Sequence, residues 1–138
     1  MKLKPIFAAA AATACAFATP AISQEVQSHI VSLYRAAPGQ QVALLKWMAA
    51  QDRASAAAGV APSQIYVHTS GDSWDYLVIN PVTTKEQDDA VEAAAKKMGI
   101  TSGPRASIEF RTMIAVHTDT TSDGPMTASQ VLARLGEK

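Results

Sequence analysis

The chain contains one cysteine, Cys15, and it lies inside an apolar run at residues 5–18. No intramolecular disulfide can form, so the disulfide frameworks that hold many small exported domains are excluded. The fold must be held by its core, which a partner would enlarge. Aromatic residues make up only 6% of the chain, so the placement of each ring carries weight. Neither sign of charge dominates: 12 Lys and Arg stand against 12 Asp and Glu. That balance gives no electrostatic reason to expect nucleic acid or an anionic membrane as partner. Beyond the N-terminal run there is no apolar stretch of the roughly 20 residues that a membrane span needs.

Reaction signatures are also missing. There is no Gly-x-Ser-x-Gly elbow, no phosphate-binding glycine loop, no Cys-x-x-Cys and no carboxylate spacing diagnostic of glycoside hydrolysis. The three histidines, His29, His68 and His117, are far apart in the chain. None of the short His-x-His or His-Glu-x-x-His spacings that hold a metal is present. The methionines are too dispersed for a copper site. Residues 118–124, Thr-Asp-Thr-Thr-Ser-Asp-Gly, lack the ligand set of an EF-hand and read as a turn. No metal and no cofactor is expected, and nothing in the histidine spacing argues for haem.

What is present begins with a leader pattern. Lys2 and Lys4 precede the apolar run, and the small-residue segment Pro20-Ala21-Ile22-Ser23 leads into Gln24. This is the charged, apolar and cleavage order of a secretory signal peptide. Ala21 and Ser23 suit the small positions of a signal-peptidase site, placing the cut before Gln24; a cut after Ala18 is the alternative. A lipoprotein reading would acylate Cys15, but Ala12 stands where an aliphatic residue belongs. Residues 1–23 are therefore expected to be removed, leaving residues 24–138 as a single periplasmic or secreted domain. Loss of Lys2 and Lys4 takes the formal charge from zero to −2.

Residues 27–35 are rich in β-branched and aromatic types and predict a strand, closed by Pro38-Gly39. From Gln40 to Ala58 the chain is alanine-rich, with Val42, Leu45, Met48 and Ala49 at helical spacing. Gly59 and Pro62 stop that helix. Strands are predicted at 63–69 and 74–80, joined as a hairpin through Ser70-Gly71-Asp72. Thr83 and Glu86 fit a capping box for a helix reaching Met98, with Ala90, Val91, Ala94 and Ala95 as its thin stripe. After Gly103-Pro104 the longest strand is predicted from Ser107 to about Thr118. A second capping box, Thr127 with Gln130, opens a short terminal helix ended by Gly136. The order predicts an α+β, ferredoxin-like βαββαβ fold: a four-stranded antiparallel sheet with both crossover helices on one face. Its strands would lie in the order fourth, first, third, second.

The hairpin predicts which side chains share a face. With the loop centred on Gly71, His68 pairs with Trp74 and Tyr66 with Tyr76. Alternation then puts Tyr66, His68, Trp74, Tyr76 and Val78 on one face and Ile65, Val67, Leu77 and Ile79 on the other. The aliphatic set suits packing under helices. The ringed set suits a partner or a ligand. A slip of one residue would exchange the two faces.

With these elements in place, the chain resembles the dimeric α+β barrel superfamily, which includes antibiotic-biosynthesis monooxygenase-like proteins, stress-responsive barrel proteins and polyketide cyclases. The resemblance is carried by Tyr34-Arg35-Ala36-Ala37-Pro38-Gly39, the alanine-rich helix after it and the Gly71 hairpin running into Asp75-Tyr76-Leu77-Val78. The long fourth strand and Gly124-Pro125 before a short helix agree with it. It implies a homodimer whose sheets face one another as a barrel. It also implies, for members that bind small molecules, a pocket between one subunit's sheet and its helices. Such members share no single signature, so no catalytic residue transfers by motif.

Two groups of candidate residues follow. His117 at the end of the fourth strand is expected near His29 at the start of the first, with Asp119 two residues beyond His117 on the same side. An imidazole oriented by a carboxylate can serve as a general base near neutral pH; the competing reading is two histidines at solvated strand ends. Tyr66, His68, Trp74 and Tyr76 would form an aromatic wall, either a dimer seam or one side of a ligand site. Arg111, alternating with Glu109 on the fourth strand, would grip an anionic ligand or pair across the sheet. Trp47 and Met48 are read as core. The leading functional reading is a dimeric protein that binds a small apolar or aromatic molecule. The alternatives are a cofactor-independent monooxygenase or cyclase/isomerase with a histidine base, and a structural dimer without a pocket.

Overall fold

A computed structural model describes residues 26–137; the expected leader at residues 1–23, with Cys15, lies outside the described residues. The first strand, β1 (Gln27–Ala36), sorts its side chains by alternation. Ser32 and Ala36 are buried on one side, while Leu33 and Arg35 are exposed on the other. Helix α1 (Gln41–Ala57) follows, and its buried stripe is Leu44, Met48 and Ala54. That stripe is rotated from the expected one: Val42 and Ala49 face water. Leu44, fully buried, sets the helical phase.

The hairpin strands are β2 (Gln64–Val67) and β3 (Tyr76–Pro81). Helix α2 (Lys85–Lys97) is capped by Thr84, whose side chain accepts from Gln87 N while Gln87 answers the Thr84 N–H. The capping box thus sits one residue later than the expected Thr83–Glu86 pair. Thr83 instead donates to Asp88 Oδ1 at 2.6 Å. The last elements are α3 (Pro104–Met113), β4 (Ile114–Gly124) and α4 (Ala128–Arg134). The Thr127–Gln130 capping box opens α4 as expected.

All pairings are antiparallel, and the sheet order is β2-β3-β1-β4. This is the ferredoxin-like order expected from the sequence. The core joins Leu44 and Met48 of α1 and Met113 at the end of α3 to Ala36, Tyr76 and Val78 of the sheet. Helix α2 packs against α1. No described helix is long and apolar enough to cross a membrane.

Three expectations are corrected. Residues 104–113, of which 107–113 were expected as strand, are helical. Gly103 adopts φ 62°, a left-handed conformation that glycine tolerates, and Pro104 follows at the first helical position, where its missing N–H costs nothing. Ala106, Phe110 and Met113 then fall at i, i+4 and i+7, the spacing of one helical face. Consequently β4 starts seven residues late, and residues 118–124 are strand, paired along β1, where a turn was expected.

The third correction concerns the hairpin. Tyr66 pairs with Leu77 and Val67 with Tyr76, one residue away from the expected register. Residues 68–75 form a longer connection than a tight turn, and Asp75 ties its end to β1. Asp75 N donates to Tyr34 O at 2.8 Å, and Asp75 Oδ2 accepts from Ala36 N at 2.7 Å. A slip of one flips every side chain across the sheet. Tyr76 and Val78 therefore pack inward, while Tyr66, Leu77 and Ile79 lie on the face without helices.

Candidate functional site

The shifted start of β4 decides which groups meet. A bulge between Arg35 and Ala36 brings β4 into register with His117 opposite Tyr34 and Asp119 opposite Ser32. Directly opposed residues share a face and touch. The His117 ring stacks on Tyr34 with centroids 4.8 Å apart and planes 19° from parallel. Ser32 donates to Asp119 Oδ1 at 2.5 Å, which satisfies a hydroxyl buried to 1% exposure. His117 Nε2 lies 2.8 Å from the same oxygen. The expected His117–Asp119 pairing is thus present, and Ser32 completes it.

Helices close the other side. Phe110 of α3 sets its edge against His117, at 5.3 Å and 87°, and against Tyr34, at 5.8 Å and 86°. Trp47 of α1 leans on Phe110 at 5.0 Å. Its indole nitrogen is buried and has no hydrogen-bond acceptor among the described residues. Such a donor normally finds a partner when it leaves water. These side chains line a cleft of about 380 Å³ between the sheet and the helices, together with Ser63, Asn80, Thr83, Asp88 and Val91. A second cleft of about 500 Å³ lies behind Trp47, edged by Lys46, Arg53, Glu109 and Met98.

Electrostatics in the main cleft follow from burial and from Asp119. Tyr34's hydroxyl is pushed above its ordinary value of 10.0, first by burial and then by the Asp119 carboxylate, with Ser32 acting in the opposite direction. The phenol is therefore neutral at physiological pH. The 2.8 Å contact of Nε2 with Asp119 Oδ1 leaves Nδ1 as the ring nitrogen of His117 without a protein partner among the described residues. Among the described residues no group of three or more His, Cys, Asp or Glu side chains could hold a metal ion.

Other candidates are placed elsewhere. His29 pairs with Ser122 and Pro81, five residues along β1 from Tyr34. It stands on the opposite face from His117, roughly 16 Å away along the strand, so the two do not meet. The expected proximity assumed that β4 began at Ser107; the late start moves His117 to the other end of β1. His29 Nδ1 contacts its own strand, at Gln27 O.

The aromatic wall is not assembled as expected. Tyr76 is buried on the helix side, its hydroxyl donating to Gln41 O at 3.2 Å; burial, then the charge of Asp75, raises its pKa. Tyr66 is 53% exposed on the open face. His68 and Trp74 remain together, with ring centroids 4.9 Å apart in the hairpin connection. Trp74 borders a recess with Leu33, Arg35 and Val116. Arg111 is exposed in the last turn of α3, not on β4, because the segment carrying it is helical.

Ser32, Tyr34, Phe110 and Trp47 were not singled out as site residues by the sequence. The signal for two of them was available: Ser32 and Tyr34 alternate with aliphatics on β1 as His117 and Asp119 alternate on β4. The signal for Phe110 was the Gly-Pro start of α3.

No family model matches the chain, and no curated protein matches it. Among solved structures, it is similar to a Chloroflexus aurantiacus J-10-fl protein described as an antibiotic biosynthesis monooxygenase. The two are 18% identical, the match covers 75% of this chain and 98% of that one, and the TM-score is 0.42. No residue role transfers across a likeness at that level.

Proposed function

We propose that this is an exported protein that binds a small, planar, largely apolar or aromatic molecule in the cleft between its sheet and its helices. The observation that carries the reading is the wall of Trp47, Phe110, Tyr34 and His117 around a cleft of about 380 Å³. Apolar walls with a few converging polar groups are the usual make-up of a ligand site, and the volume suits one or two rings. The N-terminal leader pattern supports export. Pairing of two copies through the open sheet face belongs to the same proposal, because Leu33, Tyr66 and Val116 are 37%, 53% and 50% exposed there.

Thermal-shift screening of the mature chain against single-ring and two-ring aromatics tests the site. Some compounds should stabilise the protein, and Phe110→Ala should weaken their binding by about tenfold, from lost ring packing. Stabilisation that survives both Phe110→Ala and Trp47→Phe would place the ligand elsewhere and refute the reading.

The Ser32–Asp119–His117 arrangement favours one second reading, a cofactor-independent monooxygenase or a cyclase/isomerase. There His117 Nδ1 would take a proton from bound substrate while Asp119 stabilises the imidazolium. Turnover of a cleft ligand that is lost in His117→Ala, with binding retained, would support it. Turnover that persists in that variant would end it.

A further inference from the structure

The charge of the cleft is as informative as its rings. Two carboxylates, Asp88 and Asp119, line it, and no lysine or arginine does. The nearby basic groups Lys46 and Arg53 edge the second cleft, behind Trp47. Ser32 and His117 both engage Asp119 Oδ1, which leaves Oδ2 of the same carboxylate to meet a bound molecule. Half of the Asp119 side chain is exposed, so an incoming group reaches it without rearrangement of the strand.

Resting on the ligand-site reading above, we infer that the cleft selects an aromatic amine. Its ammonium group lies against Asp119 and its ring lies against Phe110 and Trp47. Two physical effects converge on this chemistry. Faces of Trp and Tyr attract an organic cation. A carboxylate ligand would meet two like charges and no lysine or arginine. The expected dependence on Asp119 is one of position and charge, and added salt weakens it because the carboxylate is half in water.

Three probes with one phenol ring and different charge test the inference: tyramine, its neutral analogue tyrosol, and the anion 4-hydroxyphenylacetate. Their dissociation constants would be measured on the mature protein by titration calorimetry at low and high salt. Tyramine should bind at least about fivefold tighter than tyrosol, and 4-hydroxyphenylacetate weakest. Asp119→Asn should remove the advantage of tyramine, read as the ratio of the tyramine and tyrosol dissociation constants; Asp119→Ser serves the same purpose should Asp119→Asn fail to fold. Equal affinities, or tightest binding by the anion, would overturn the cation preference. Provided that binding is still Phe110-dependent, the cleft itself would stand. Failure of all three to bind would overturn both the preference and the cleft reading.

Discussion

The two faces of the one sheet differ in what they bury and what they leave open. Under the helices, Tyr76 and Val78 are buried core, yet directly across from them on the same face Tyr34 and Ser32, with His117 and Asp119 beyond, form a connected polar group. On the opposite face Val31, Leu33, Leu77 and Ile79 alternate into a largely apolar surface that no described helix covers, with Tyr66 and Val116 beside them. Polar groups where packing would favour carbon, and carbon where solvent would favour polar groups, are the two places where stability alone does not account for the residues. Under the proposal above, the covered face takes a ligand and the open face a second copy of the chain.

The largest effect that sharpens this contrast lies in the covered core. Leu44→Ala should destabilise the domain by about 2–5 kcal/mol, from lost transfer energy and the cavity left behind, read by denaturant unfolding. A cost below about 1 kcal/mol, the range of weakly packed positions, would mean that α1 is not seated on the sheet. Next comes the clamp that sets the register. Asp75→Ala should cost about 1.5 kcal/mol, since it strips a charged acceptor from the Ala36 N–H. A change near zero would indicate that the hairpin register does not depend on Asp75.

On the open face, Leu33→Asp should leave unfolding of the monomer nearly unchanged while shifting sedimentation toward the monomer. An unchanged sedimentation profile that is dimeric in both variants would move the interface elsewhere. The smallest effect is one of pH. Tyr34's folded pKa is raised, so its contribution to stability is complete below its unfolded value of 10 and is lost as pH rises through the folded value. Between about pH 9 and 11 the wild type should lose stability more steeply than Tyr34→Phe. Parallel losses would contradict the burial of that hydroxyl.

Local signals made much of the fold legible. Gly39, Gly59 and Gly99 mark element ends, the Thr127–Gln130 pair marks the start of α4, and the order of elements leads to the observed sheet order. The pairing of His117 with Asp119 was legible because residues two apart on a strand share a face. What was not legible depended on long-range contacts. Ile108, Phe110 and Thr112 favour strand locally, but residues 104–113 form a helix whose Ala106, Phe110 and Met113 face inward. The hairpin register is fixed by Asp75 bonding across to β1, a contact 39 residues away in sequence. With β4 displaced and the hairpin slipped, the expected Tyr66–Tyr76 wall does not form, and the candidate site is the cleft under α1 and α3.

The indole N–H groups of Trp47 and Trp74 report on the two candidate locations separately, one in the cleft and one in the hairpin connection. Titrating the nitrogen-15-labelled protein with tyrosol or tyramine while following both resonances therefore decides between them. The cleft account predicts that the Trp47 signal shifts saturably as a ring packs beside it, while that of Trp74 stays in place. A saturable shift of Trp74 with Trp47 unmoved would contradict it.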